Sequence, residues 1–245
     1  MRIDIMTLFP ELIDGVMSQS IIGRAKAKGL ISINPINIRD FALDKHHKAD
    51  DSPYGGGRGM VMLPEPLYLC HEHLCAGEKV HTVMMSAQGQ QFTQQKAREL
   101  LEKKHIIIVC GHYEGIDQRF IDTCVDEEIS IGDFVLTGGE IPAMAVSDAI
   151  CRMVDGVLPD ETAFQDESHW NGLLEYPQYT HPAEWRGQKV PDILLSGHHA
   201  NIAKWRRKMS LIRTKKDRPD LFEHFKPENK QDKKLLLEIQ KESEN

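Results

Sequence analysis

The sequence predicts an α/β protein: a parallel sheet flanked by helices, followed by a small helical C-terminal domain. Three observations carry this. Apolar strand-like runs alternate with helical patterns through the first two thirds of the chain, as in a sheet built from crossover units. The run Ile106–Cys110 is apolar throughout, the pattern of a strand buried on both faces. Near Leu158 the alternation stops, and the chain beyond it is first polar and then helical in pattern.

Taken in order, Arg2–Leu8 reads as a strand and Glu11–Lys28 as a helix stopped by Gly29. Ile31–Ile38 alternates with period two, and Pro35 within it predicts an edge strand. Asp44–Gly59 is a polar, glycine-rich loop, and Pro64–Cys75 a helix. Val80–Met85 is a strand, Thr93–Lys103 a helix and Ile106–Cys110 a strand. Ile116–Cys124 and Ile141–Met153 are helical. Three segments follow: residues 1–159 as the α/β domain, 160–171 as a linker or lid, and 172–245 as the helical domain, with helices at Ala200–Met209 and Gln231–Lys241.

Composition narrows the class. Apolar residues make up 40% and charged residues 27%, so the chain can bury a core without staples. The start of the chain has no long apolar run, no segment approaches a membrane span, and the five cysteines are odd in number and irregular in spacing. A reduced, cytoplasmic protein without membrane contact is expected. The histidines and cysteines show no ligand spacing for a structural metal: His71 and Cys75 share a helix face, but two ligands do not make a zinc site. The net charge of −7 argues against nucleic acid, yet Lys204–Arg218 carries eight Lys or Arg and a single acid, Asp217. An isolated basic run reads as a solvated helix face; a run beside a ligand site can neutralise phosphates.

Three segments concentrate glycine at the ends of apolar runs: Ser86–Gly89, Cys110–Gly115 and Ser130–Glu140. In an open α/β sheet, loops at the carboxyl ends of strands form the ligand crevice. No dinucleotide fingerprint and no phosphate-binding loop are present, so an adenosine moiety held by an apolar slot and backbone groups fits better than a triphosphate.

The segments GHYEGID and EISIGDFVLTGGEIPAM, with LFPE, RDFALDKHHKADDSPYGGGRGM, GLLEYPQYTHP and LLSGHHANIAKWR, resemble the bacterial tRNA (guanine-N1)-methyltransferase family, TrmD, of the SPOUT class. The resemblance spans nearly the whole chain. It implies a parallel sheet with a deep trefoil knot, S-adenosylmethionine as cofactor, and a homodimer whose active site lies between subunits. It also brings Mg2+ as a candidate cofactor. The activity implied is methylation of guanine N1 at tRNA position 37, next to the anticodon, with the anticodon arm as the RNA partner.

By this resemblance the cofactor pocket is lined by Ala87, Gln88 and Gly89, by Gly111, Tyr113 and Glu114, and by Ile131, Gly132, Asp133, Phe134, Val135, Leu136, Gly138 and Gly139. The family usually has proline at the position of Ala87, and often tyrosine at Phe134 and arginine at His112. Guanine N1 carries a proton, so the reaction needs a base and a donor for the charge developing on O6. The family's catalytic aspartate falls at Glu167, with Asp166 as the alternate base, and Arg152 matches its arginine. Asp50, Tyr54, Gly55, Gly56, Gly57, Arg58 and Gly59 match the loop that receives the flipped base. Lys204, Arg206 and Arg207 would contact the anticodon arm. Two other readings stay open. Glu in place of Asp supports a non-catalytic RNA-binding protein; retention of Arg152 and the pocket loops counts against it. A SPOUT enzyme acting on another RNA position is the second, opposed by the YGGGRGM loop and the C-terminal helical part.

Overall fold

In the computed structural model, which describes residues 1–159, 164, 167–227 and 229–243, the chain divides into two units, Met1–Glu161 and Thr162–Asn245. The first unit runs β1 (Arg2–Thr7), α1 (Pro10–Met17), α2 (Ser20–Ala27), β2 (Ser32–Asn37), a 3-10 turn (Ile38–Phe41), β3 (Asp50–Asp51) and β4 (Val61–Met62). It continues with α3 (Pro64–Cys75), β5 (His81–Gln91), α4 (Gln94–Leu101), β6 (His105–Cys110), α5 (Gln118–Cys124), β7 (Glu127–Ser130) and α6 (Glu140–Cys151). Strands β2-β1-β6-β5-β7 form one sheet, and every pairing in it is parallel.

The centre of the sheet is where the sequence is most apolar. Ile106 to Cys110 of β6 are all fully buried. Side chains alternate across a strand, so Ile107 and Val109 join a cluster with Leu67, Cys70 and Phe120 of α3 and α5. Ile106, Ile108 and Cys110 fall on the opposite face, where α6 packs on β1 and β6 and also meets α1 and α4. Pro35 sits in β2, which is indeed an edge strand, paired only with β1.

Besides a C-terminal helix that runs over His199–Asp217 rather than Ala200–Met209 and short ladders that were not expected, three differences from the sequence reading shape the first unit. The helix expected over Glu11–Lys28 is two helices, because the chain turns at Ser18–Gln19 and Ser20 adopts φ 54°. Strand β5 does not stop at Met85. It continues to Gln91, and its ladder with β7 slips between Met85 and Gln90, so Ser86–Gly89 is a bulge rather than a terminal loop. Strand β7 carried no apolar signal. Its Glu127 is held by His81 Nε2 at 2.8 Å and Lys96 Nζ at 3.0 Å, which keeps the carboxyl below the usual carboxylate range despite the opposing effect of burial.

The second unit holds a short hairpin, β8 (Glu184–Trp185) and β9 (Gln188–Lys189), and helices α7 (Asp192–Leu195), α8 (His199–Asp217), α9 (Pro219–His224) and α10 (Lys230–Ser243). Its core is Leu173, Leu211, Leu235 and Ile239, with Phe222 and Phe225 packed against it. No helix among the described residues is long and apolar enough to cross a membrane.

Four of the five thiols, Cys70, Cys75, Cys110 and Cys151, are buried, and Cys124 is half-buried. Burial pushes Cys70 and Cys151 up to about 12, raises Cys110 well above its ordinary value, and raises Cys75 and Cys124 as well. Raised thiol pKa values leave little thiolate at pH 8. Iodoacetamide at that pH should therefore label the native protein slowly, with Cys124 first and Cys70, Cys110 and Cys151 only on unfolding, as read by peptide mass spectrometry.

Candidate active site

The bulge of β5 and the carboxyl ends of β6 and β7 enclose a cavity of about 370 Å³, a size suited to a small-molecule ligand. Three segments wall it: Ser86–Gln88 of the β5 bulge, Gly111–Ile116 after β6, and Ile131–Gly139 between β7 and α6. Of the residues expected here, Ala87, Gln88, Gly111, Tyr113, Glu114, Ile131, Gly132, Phe134, Val135, Leu136, Gly138 and Gly139 line the cavity. Gly89 does not. A Cβ there would lie 2.5 Å from the Glu128 carbonyl carbon, so this glycine lets the bulged strand close on β7. Asp133 is exposed and also stands outside the lining.

A buried carboxylate ties the walls together. Glu140 opens α6 and is 3% exposed. Thr7 Oγ1, at the end of β1, donates to its Oε1 at 2.7 Å, and His112 Nε2 lies 2.9 Å from its Oε2. Backbone pairing reinforces the contact: His112 bridges Gly138, and Gly139 N–H donates to Gly111 O at 2.9 Å. The approach is so close that a Cβ on Gly138 would overlap His112 Nε2 and Glu140 Oε2. His112, within the predicted wall segment Cys110–Gly115, thus owes its place to Glu140, a contact the sequence did not show.

The glycine-rich loop adjoins this cavity. Asp50–Asp51 and Val61–Met62 form a two-residue antiparallel ladder that carries Ser52–Met60 as its loop. Glu114 N–H donates to Met60 O at 3.0 Å, and Met62 N–H to Gly115 O at 2.9 Å. Tyr54 is fully exposed, and Gly55, Gly56, Gly57 and Gly59 all have positive φ, an accessible surface against which a planar base can lie. Arg58 is exposed on the same loop.

Arg152 is half-buried at the C-terminal end of α6, in the first unit. Glu167 belongs to the second unit, where its backbone N–H donates to Phe164 O at 3.3 Å and Trp170 packs on Phe164 with ring centroids 4.6 Å apart. Asp166 and much of the 160–171 lid lie outside the described residues.

The basic run is less free than its charge suggests. Arg207 makes a two-pronged pair with Asp232, Nε to Oδ1 at 2.8 Å and Nη2 to Oδ2 at 2.9 Å, and lies over the Phe225 ring. Lys204 Nζ is 3.3 Å from Glu238 Oε1. Arg206 is exposed and lies over Tyr176. Of the three cations expected on RNA, Arg207 has a structural role, because Asp232 is buried and needs its charge. Arg213, Lys215 and Lys216 are exposed on the same helix. Among the described residues no group of three or more His, Cys, Asp or Glu is placed to hold a metal ion.

A family model described as tRNA (guanine-1)-methyltransferase TrmD matches residues 1–224. Curated relatives named tRNA (guanine-N(1)-)-methyltransferase include one from Desulforamulus reducens, 55% identical over 98% of this chain and 95% of its own. One from Ruminiclostridium cellulolyticum is 54% identical over 94% of this chain and 99% of its own. One from Staphylococcus epidermidis is 49% identical over the full length of both.

Two outcomes test this geometry. Gly138→Ala should displace His112 or the Gly138 loop and weaken ligand binding at least about tenfold, since the overlap falls on both partners of a buried contact; calorimetric titration reads it. Arg207→Ala should destabilise the protein by about 3 kcal/mol in denaturant unfolding, at the low end for a broken buried pair because Arg207 itself is partly exposed.

Proposed function

The chain belongs to the tRNA (guanine-1)-methyltransferase family, TrmD, and methylates N1 of guanine in tRNA; on that premise we propose that the guanine is the one next to the anticodon, with S-adenosylmethionine as donor. The observation that carries the donor site is the cavity between the bulge of β5 and the carboxyl ends of β6 and β7. Its residues fit this group. Phe134, Val135 and Leu136 are exposed apolar side chains at its wall, suited to a neutral ring, and Glu114 and Glu128 supply carboxylates for a cationic end. The bound donor supplies an electrophilic methyl on a sulfonium. The knot is the topology we assign to the loops that hold it, by family resemblance.

The chain's own residues do the rest. The Ser52–Met60 loop receives the base and holds its N1 edge toward the cavity that the loop adjoins. Glu167 takes the N1 proton onto its carboxylate, with Asp166 as the alternate base. Arg152 stabilises the charge that develops on O6 as the proton leaves. Holding base and donor in line supplies much of the remaining acceleration. In the second unit, Arg206, Arg213, Lys215 and Lys216 contact phosphates of the anticodon arm, and Lys204 contributes from beside Glu238.

The active site is completed by a second copy of the chain. Support comes from Phe9, just before α1, Leu12 and Val16 of α1 and Ile141 of α6, which are 46%, 48%, 52% and 54% exposed, the two helices packing together. An apolar face of that kind on a helical layer marks an association surface.

The test is methyl incorporation into unmodified tRNA with a guanine after the anticodon, against the same tRNA with adenine there. Transfer to the first and not the second is expected. Glu167→Gln should lower kcat by about 10² or more and leave donor binding unchanged. If Asp166→Asn does this instead, the base is Asp166. A wild-type protein that binds donor yet transfers nothing to tRNA overturns the reading.

A further inference from the structure

Arg39 opens the RDFALDKHHKADDSPYGGGRGM stretch and has no role assigned by the resemblance, yet it reaches the site's rim. The 3-10 turn Ile38–Phe41 starts where β2 ends, and Asn37 caps it, its Oδ1 accepting from Arg39 N–H at 3.0 Å. The turn sends the guanidinium to the loop after β6. There Nη2 donates to Tyr113 Oη at 3.0 Å and lies 3.9 Å from Asp50 Oδ1, while Nη1 donates to His47 O at 3.3 Å. One cation therefore touches a wall residue of the cavity and the ladder that carries the glycine-rich loop.

Tyr113 needs such a partner. Its φ is +59°, in the left-handed region that costs a non-glycine residue roughly 1–2 kcal/mol. A backbone of this kind persists only when its surroundings over-determine it. Tyr113 is 46% exposed, so packing holds only part of it. Its ring meets His112 edge-on, and its hydroxyl is tied to Arg39.

We propose that Arg39 is a positioning residue for methyl transfer: it holds the Tyr113 ring at the rim of the donor cavity and so sets the shape of that site, without touching the reacting atoms. The proposal rests on the reading of the cavity as the donor site. It assigns Arg39 a role in donor affinity rather than in proton transfer.

The experiment is a double-mutant cycle on the full chain, with S-adenosylhomocysteine as calorimetric probe and methyl transfer to tRNA as second readout. Arg39→Met and Tyr113→Phe should each weaken probe binding about fivefold, the scale of one partly exposed charged hydrogen bond. The double variant should be no weaker than Arg39→Met alone, because both changes remove the same contact. In Arg39→Met, KM for the donor should rise while kcat at saturating donor holds within about twofold, and Arg39→Lys, which keeps a donor, should recover part of the loss. Additive losses overturn the proposal, since Arg39 would then act on something other than the Tyr113 hydroxyl. Tyr113→Phe keeps the ring and removes only the acceptor, so its binding at wild-type strength overturns the proposal even if Arg39→Met fails to fold. A wild-type protein that does not bind the probe removes the donor-site reading, and this proposal with it; a wild-type protein that binds while the cycle is additive removes this proposal alone.

Discussion

The carboxylate of Glu140 is the fixed point of the first unit. It is buried at the start of α6, where the helix N-terminus favours negative charge. A carboxylate out of water must be matched by donors or it costs several kcal/mol. The two side chains that match it come from different places in the chain, Thr7 from the end of β1 and His112 from the loop after β6. Satisfying one charge therefore brings together the end of a strand, a loop and the start of a helix. The cavity is the space left between the second and third of these and the bulge of β5.

Sequence patterns reached those parts whose signal is local. β6 shows as an unbroken apolar run because both its faces are covered, and β2 shows as an edge because Pro35 interrupts it. The split between α1 and α2 was hidden, since apolar periodicity continues through Ser18–Ser20 while the backbone does not. β7 was hidden for another reason. Its two glutamates give no strand signal, and only the fold reveals that Lys96 and His81 hold one of them.

The site divides along the same line. Glycine clusters and family resemblance marked three walls of the cavity and the glycine-rich loop beside it from local sequence alone. What they missed depends on distant partners. His112 matters through Glu140, and Arg39 through Tyr113, a residue brought near it by the parallel pairing of β1 with β2 and β6. The structural role of Arg207 was hidden in the same way, because a count of charges does not show that Asp232 faces it. Gly89 looked like a ligand-contacting glycine and instead makes room for a neighbouring strand.

The two margins of the main sheet set a rule for assembly. On one side β2 lacks a backbone donor at Pro35; on the other β7 is only four residues long and bears Glu127 and Glu128. Short, charged or proline-bearing margins discourage another strand from adding to the ladder. Growth of the sheet from chain to chain, the route to fibres and runaway aggregates, is closed at both ends. The helical faces carry no such ladder, and a symmetric pair formed there, as proposed above, closes on itself with finite contacts.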